Sequence, residues 1–228
     1  ANAVKVRSDG KVVAAGYAFS GASSSFAVVR YNADGSLDTA FDTDGKVTTS
    51  ILAVEDGATG VAIQADNKVV ASGYAKNGTV LNFAIARYNT DGSLDTSFDT
   101  DGKVTTAMLA GNDAANAVAV QSNGKIVVAG AASNVANYDL AAARYNANGS
   151  LDTSFDTDGK VTYSVGLETD DVGYAMAIDS AGQIIIAGET GTQFVVARLE
   201  GDPPVVATPR RPFDLDGDGK TDLSIFRP

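Results

Sequence analysis

The chain has 228 residues, 44% of them hydrophobic, and a formal net charge of −11. This hydrophobic share is typical of a chain that folds around a core, and the acidic balance disfavours nucleic acid and anionic membrane surfaces as partners while favouring divalent cations. Cysteine and histidine are both absent, which excludes disulfides, thiolate chemistry and imidazole metal ligands. No apolar run approaches the roughly 20 residues of a membrane helix.

One long motif recurs through the chain. It reads RYNADGSLDTAFDTDGKVTT from Arg30, RYNTDGSLDTSFDTDGKVTT from Arg87 and RYNANGSLDTSFDTDGKVTY from Arg144, and a fourth copy from Arg198 stops after Leu199. The four arginines lie 57, 57 and 54 residues apart. A period of this size indicates one supersecondary unit repeated in tandem. We place the repeats within residues 1–200, at about 1–56, 57–113, 114–171 and 172–200.

Each repeat predicts short strands in the same order. The first strands are rich in small and β-branched residues, and the second strands are apolar without alternation, which indicates that both of their faces are covered. The predicted first strands are 3–6, 60–63, 117–120 and 175–178; the second are 12–16, 69–73, 126–130 and 184–188; the third are 26–31, 83–88, 140–145 and 194–199; the fourth begin at 46, 103 and 160. No long 3.6-residue period occurs, so helix should be almost absent.

The stretch between the second and third strands varies in sequence and length among the repeats, at 17–25, 74–82, 131–139 and 189–193. Such variation on a fixed frame is typical of exposed loops. Four antiparallel strands in a repeat of this length are typical of a β-propeller blade. The predicted fold is therefore all-β, a β-propeller-type array of four-stranded antiparallel blades with the fourth repeat incomplete.

The segments ARYN, DGSLDTSFDTDGKVTT and GKIVVAG resemble the delta-60 repeat family over about residues 1–199. The resemblance implies a propeller-forming fold and an exported, often surface-associated setting, and it implies no activity. The chain departs from many members by carrying aspartates such as Asp42 and Asp44 where they carry glycines, so this version is more acidic.

The composition changes after Leu199. Residues 201–212, GDPPVVATPRRP, hold four of the five prolines and read as an extended linker. Residues 213–228 resemble a calcium-binding repeat of the FG-GAP or VCBS type from secreted bacterial proteins, truncated after one strand.

This last segment contains the strongest candidate metal site. Asp214, Asp216, Asp218 and Asp222 stand at loop positions 1, 3, 5 and 9, and Lys220 offers its backbone carbonyl at position 7. Alternate residues of a tight loop turn their oxygens inward, and several hard oxygens at one point suit Ca²⁺. The sequence therefore predicts Ca²⁺ as a cofactor, against the alternative of a solvated acidic turn.

The recurring motif is a weaker candidate for cation binding, because its Asn, Asp and Ser residues follow one another at two-residue spacing. The alternative is that Asp and Asn cap their own turns through local hydrogen bonds. The acidic candidates are Asp34, Asp38, Asp42, Asp44, Asp91, Asp95, Asp99, Asp101, Asp152, Asp156 and Asp158.

The arginine that opens each motif ends an apolar strand. It either contributes to a ring of anion-binding groups or pairs with an aspartate of its own loop. The tyrosines that follow, Tyr31, Tyr88 and Tyr145, are expected in the core or at its rim. No catalytic constellation recurs in the variable stretches, so we do not expect an enzyme.

The fourth repeat lacks its outermost strand, and residues 222–226 could supply it in the same chain or in a neighbouring copy. One functional hypothesis is a secreted, calcium-stabilised structural protein of the cell surface that self-associates, with fibres as one form. The alternative is an extracellular adhesion or ligand-binding propeller that binds a glycan or another surface ligand through the variable stretches.

Overall fold

The computed structural model describes residues 1–52, 54–165, 169–199 and 224–226. These residues form sixteen strands and no helix, which confirms the predicted all-β class. The strands are β1 Ala3–Val6, β2 Val12–Ser20, β3 Ser23–Tyr31, β4 Lys46–Thr49, β5 Asp56–Ile63, β6 Val69–Asn77, β7 Val80–Tyr88, β8 Lys103–Thr106, β9 Asp113–Val120, β10 Ile126–Ser133, β11 Tyr138–Tyr145, β12 Lys160–Tyr163, β13 Asp171–Ile178, β14 Ile184–Thr190, β15 Gln193–Leu199 and β16 Ser224–Phe226. Within that described part, no helix is long and apolar enough to cross a membrane.

The strands form four separate four-stranded sheets. Sheet 1 contains β1 to β4, sheet 2 contains β5 to β8, sheet 3 contains β9 to β12 and sheet 4 contains β13 to β16, each in chain order and antiparallel throughout. Each sheet therefore corresponds to one sequence repeat, as the period predicts. The first three strands of each sheet are joined by short turns, which antiparallel pairing permits. The third and fourth strands of sheets 1 to 3 are joined by the longer loop of the recurring motif, residues 32–45 in sheet 1.

The variable stretches are hairpin ends rather than long loops. β2 runs on to Ser20 and β3 begins at Ser23, and in sheet 2 only residues 78 and 79 separate β6 from β7. The prediction of exposed loops was wrong at these positions. It relied on the irregular sequence of side chains, but the backbones of the two strands stay paired to the end of the hairpin. The variation between repeats is thus carried on paired strand ends.

The innermost strands of sheets 2, 3 and 4 begin four residues earlier than predicted, at Asp56, Asp113 and Asp171. Each contains a β-bulge opposite the strand that follows it, for example between Ala58 and Gly60. The bulge brings two backbones so close that a Cβ on Gly73 would lie 1.9 Å from the carbonyl oxygen of Gly57. Glycine is therefore required there, as it is at the equivalent positions 130 and 188.

The missing outermost strand of sheet 4 comes from the tail of the same chain. β16 pairs with β15 so that Val196 lies opposite Ser224, just as Val28 lies opposite Val47 in sheet 1. Of the two possibilities that the sequence left open, the structure shows the pairing within one chain.

Every sheet has two apolar faces. We name the face that in sheets 2 to 4 packs on the preceding sheet the leading face, and the face that in sheets 1 to 3 packs on the following sheet the trailing face; the equivalent faces of the end sheets keep these names. Buried side chains of the trailing face of sheet 1, such as Phe26 and Val28, join Val61 and Val69 of the leading face of sheet 2 in one core cluster. Equivalent clusters join sheets 2 and 3 and sheets 3 and 4. Among the described strands, the extensive contacts between sheets all join consecutive sheets.

The bulge generates a stability prediction. Gly73→Ala should destabilise the fold by more than about 3 kcal/mol, because its Cβ meets backbone rather than a movable side chain. Urea unfolding measures the change, and Gly78→Asn is the matched control, because Gly78 has open space around it and asparagine tolerates its φ of +63°. An alanine variant as stable as the parent would contradict the close approach.

Candidate functional site

The most chemically distinctive feature is a buried arginine at the end of the third strand in each of the first three sheets. Arg30, Arg87 and Arg144 are at most 4% exposed. The Nε of Arg30 donates to Oδ2 of Asp38 at 2.5 Å, and Arg87 and Arg144 make the same contact with Asp95 and Asp152. Pairing with an aspartate of the same loop is therefore confirmed, and an open anion-binding ring is not what these side chains form.

Two further groups complete each cluster. Lys11, from the turn before β2, donates its Nζ to the same Oδ2 of Asp38 at 2.7 Å. The guanidinium of Arg30 lies over the ring of Phe41, 4.6 Å from its centroid. Lys68 and Phe98, and Lys125 and Phe155, occupy the same places in sheets 2 and 3. A buried arginine is tolerable here because carboxylate and aromatic face both compensate its charge.

The clusters set the protonation of their aspartates. Burial by itself raises the pKa of Asp38, but the hydrogen bonds from Lys11 and Arg30 outweigh burial and bring that pKa down to about 2. Asp152 reaches a pKa of about 2 through the same opposition, with Ser154 and Lys125 as its main donors. The pKa of Asp95 is also lowered. All three carboxyls are therefore ionised at neutral pH.

Arg30 and Arg87 also reach the next repeat. Nη1 of Arg30 donates to the carbonyl oxygen of Thr90 at 2.6 Å, and Nη1 of Arg87 donates to that of Ala147 at 2.5 Å. The backbone N–H of Asp42 adds a 2.7 Å bond to the carbonyl of Asp91 in the following loop. The recurring motif is thus a joint between consecutive sheets as well as a loop within one sheet.

The remaining aspartates of the motif make local turns. Asp34 accepts bonds from the amide and the hydroxyl of Ser36, which lower the pKa of Asp34, and Asp91 does the same with Ser93. Asp44, Asp101 and Asp158 accept the amide N–H two residues ahead, each at 2.9 Å. Asp42, Asp99 and Asp156 adopt left-handed backbone with φ of 46° to 47°.

These placements bear on the weaker cation candidates. Asp38, Asp95 and Asp152 are bound in the arginine clusters. Hydrogen bonds within their own turns are accepted by Asp34, Asp44, Asp91, Asp101 and Asp158. Among the described residues, no three acidic side chains come together in a way that could hold a metal ion. The geometry favours the turn-capping alternative for the motif. The stronger candidates Asp214, Asp216, Asp218, Lys220 and Asp222 lie outside the described residues, so calcium binding there stays a prediction.

The tyrosines after the arginines pack as expected. Tyr88 and Tyr145 are fully buried, and burial raises the pKa of both hydroxyls. Each hydroxyl donates to a threonine of the preceding sheet, Tyr88 to Thr49 at 2.9 Å and Tyr145 to Thr106 at 2.7 Å. Tyr31 is the partly exposed equivalent on sheet 1.

A second recurring feature, a buried aspartate at the start of the first strand of sheets 2 to 4, was not predicted from the sequence. Asp56, Asp113 and Asp171 are fully buried and accept backbone N–H bonds from the segment that crosses from one sheet to the next, for example from Ile51 at 2.7 Å. Burial raises the pKa of Asp113 against the opposing effect of its amide donors. The signal was an aspartate recurring at the repeat period just before the first strand, hidden among many turn aspartates.

The sheets and joints define the class of protein: a tandem-repeat, β-propeller-type protein whose recurring polar residues connect one four-stranded sheet to the next. Three segments, residues 7–41, 64–98 and 121–155, match the family model described as a domain of unknown function (DUF5122) beta-propeller. Each segment runs from the end of one innermost strand to the phenylalanine of that repeat's arginine cluster. The three matched repeats are thus similar to a β-propeller-type repeat family. No curated protein matches the chain.

The cluster predicts a large effect of Arg87→Met. The variant keeps the length of the side chain but leaves Asp95 buried with Lys68 as its remaining cation and removes the bond to Ala147. We expect the free energy of unfolding in urea to fall by about 3 to 5 kcal/mol. Asp101→Asn is the control, because its ion pair with Lys103 is exposed and should matter by less than about 1 kcal/mol. Equal stabilities of the two variants would show that the Arg87 cluster does not stabilise the fold.

The cluster also predicts acid sensitivity. The folded-state pKa of Asp38 and of Asp152 lies below the ordinary 3.8, so their stabilisation is complete above about pH 4 and disappears as the pH falls toward about 2. Each should contribute on the order of 2 kcal/mol to the loss. Asp113 acts with opposite sign, because its raised pKa favours the fold on protonation.

Urea unfolding between pH 5 and pH 2 is the measurement for this prediction. Asp38→Asn removes one titrating group and should give a shallower decline than the parent. A free energy of unfolding that stays level across this range would show that the clusters do not hold Asp38, Asp95 and Asp152 in their ionised form.

Proposed function

We propose that this chain is a secreted structural repeat protein of the cell surface that is stabilised by Ca²⁺ and associates with copies of itself. The observation that carries the proposal is the use of the recurring polar residues. The arginine and aspartate of each complete motif, with a lysine from the turn before the second strand, stabilise one sheet. Arg30 and Arg87 also bond to the next sheet, so the most regular polar contacts of the chain hold the sheets together. A catalytic role would require such groups to face a substrate, and we propose that the protein is not an enzyme.

Ca²⁺ would act at the tail. Asp214, Asp216, Asp218 and Asp222 supply carboxylates and Lys220 a carbonyl, a donor set of hard oxygens that suits this ion. The loop immediately precedes β16, so ordering the loop would help to deliver that strand to the edge of β15. Ca²⁺ would thereby stabilise sheet 4.

The same strand offers a route to self-association. β16 pairs through three residues and is joined to β15 by residues 200–223, a long connection. A strand on such a connection can pair equally well with β15 of another copy, which exchanges identical elements between molecules. Repeated exchange from copy to copy would build a fibre.

Calcium titration calorimetry with sedimentation velocity tests the proposal. The parent chain should bind Ca²⁺, and its assemblies should become smaller on chelation or on deletion of residues 224–228. Asp216→Asn with Asp218→Asn should abolish both properties, whereas the matched pair Asp99→Asn with Asp101→Asn, in the motif of sheet 2, should leave both intact. Absence of calcium binding by the parent chain, or assemblies indifferent to chelation, would refute it.

A second candidate, an extracellular binding module, is favoured by one observation. Tyr17 and Phe19 near the end of β2 are exposed and stack edge to face with ring centroids 5.4 Å apart. Exposed aromatic pairs of this kind form platforms for apolar faces of ligands, including sugars. A binding module would keep its ligand after deletion of the tail, which separates the two functions.

A further inference from the structure

The two end sheets each leave one apolar face uncovered by the described residues. On sheet 1 it is the leading face. Its side chains form two cross-strand rows, Val4, Ala14 and Val29 in one and Val6, Val12 and Tyr31 in the other. Val4 and Val6 are 62% and 68% exposed, although valine in a strand is normally at least half-buried.

The same rows are buried in the next sheet. The residues of sheet 2 at these positions are Val61, Ala71, Ala86, Ile63, Val69 and Tyr88. Val61, the equivalent of Val4, is only 3% exposed, and Tyr88 is fully buried where Tyr31 is partly exposed. The difference has one cause, which is that sheet 2 has a preceding trailing face packed on it and sheet 1 has none among the described residues.

On sheet 4 the uncovered face is the trailing face, the surface that would complement the leading face of sheet 1. Phe194 on its trailing face is 53% exposed, whereas its equivalents Phe26 and Phe83 are fully buried against the following sheet. A depression of about 450 Å³ lies on this face, lined by Phe194, Tyr174 and Ala187 among others. In sheets 1 to 3, the corresponding space receives the innermost strand of the next sheet.

We propose that the leading face of sheet 1 packs on the trailing face of sheet 4 of a second copy of this chain. The occupant follows from the repeats, because the chain makes this contact three times internally between residues at the same register positions, and it carries one uncovered example of each half. The residues named in the two rows of sheet 1 are uncharged, and Lys46, which lies opposite Val29 on the outer strand, corresponds to Lys103 opposite Ala86 in sheet 2. The rows themselves can therefore be desolvated at low cost. The inference needs neither Ca²⁺ nor strand exchange and so goes beyond the proposed function.

The contact between copies should be weaker than the internal ones. In each internal contact, a side chain at the bulge, or at the equivalent position in sheet 1, donates to a carbonyl of the following sheet. Asn2 bonds in this way to Ala58 at 2.8 Å and Asn116 to Gly173 at 2.9 Å. Sheet 4 has Tyr174 at this position, and its hydroxyl donates to Glu189 at 2.5 Å instead. Association between copies is therefore reversible and depends on concentration.

The contact is heterologous, since two different faces meet. Each copy has one of each, so the contacts either close into a ring of copies or continue as a filament. Heterologous geometry also provides a test by complementation, because damage to one face leaves the other able to bind.

The experiment uses two double variants of the full chain. Val4→Lys with Val6→Lys blocks the leading face of sheet 1, and Ala175→Lys with Phe194→Lys blocks the trailing face of sheet 4. All four residues are already exposed, so the monomers should keep the parent's circular dichroism spectrum. Val135→Lys, at an exposed position in the β10–β11 turn, is the control.

By sedimentation velocity in the presence of a chelator, the parent and the control should form species larger than the 23.2 kDa monomer. Each double variant should be monomeric, with its dissociation constant raised at least about thirtyfold. An equimolar mixture of the two double variants should restore a dimer and nothing larger, because only one pair of faces remains intact.

The inference is overturned if the parent is monomeric at high concentration, if either double variant associates like the parent, or if the mixture stays monomeric. These outcomes are separate from those for the proposed function. Assemblies whose size is unchanged by chelation and by tail deletion, but falls in the face variants, would refute strand exchange and support face packing.

Discussion

The structure depends on the burial of an arginine at the end of the third strand. Removing a guanidinium from water is costly, and one carboxylate offsets that cost only when the remaining donors are also satisfied. Arg30 achieves this with Asp38, the ring of Phe41 and a carbonyl that belongs to the next repeat. The last partner matters most for the architecture, because a donor that is satisfied only by the following sheet makes that sheet part of the cluster. The same arginine therefore stabilises its own loop and the packing of one sheet on the next.

The second constraint is that each sheet is thin and apolar on both faces. A sheet of small and β-branched residues cannot keep either face in water, so every sheet depends on two neighbours for its core. This explains why every residue of β10 and the first five residues of β6 are buried. It also explains why β1, at the open end of the array, has the same residue types as its equivalents but a largely exposed pattern. Burial is set by position in the array, and composition is set by the repeat.

Much of the fold was predictable, because the repeat period places each strand and the glycine-rich turns separate them. The arginine pairing was predictable too, since an arginine that ends a buried strand beside an acidic loop has few other partners. The bulge before Gly60 and the extension of β3 back to Ser23 were not predictable, because backbone pairing leaves no regular side-chain signature there. The buried hydrogen bonds of Asp56 were not predicted, because a turn aspartate and a buried aspartate look alike in sequence. Whether β16 pairs within its own chain or with a neighbouring copy depends on the protein concentration, which cannot be read from a sequence.

Charge adds a further constraint on any association of this chain. The arginine clusters pair Asp38, Asp95 and Asp152 internally, whereas other aspartates of the motif, such as Asp42 and Asp44, are exposed on the rim of each sheet. Stacking therefore brings acidic rims together even as it buries apolar faces. At low ionic strength the repulsion between rims opposes stacking, and at about 0.1 M salt the Debye length of about 10 Å screens much of it. Apolar burial does not weaken with added salt. Salt should therefore strengthen contacts between the faces of these sheets, the reverse of what contacts held by exposed ion pairs would show.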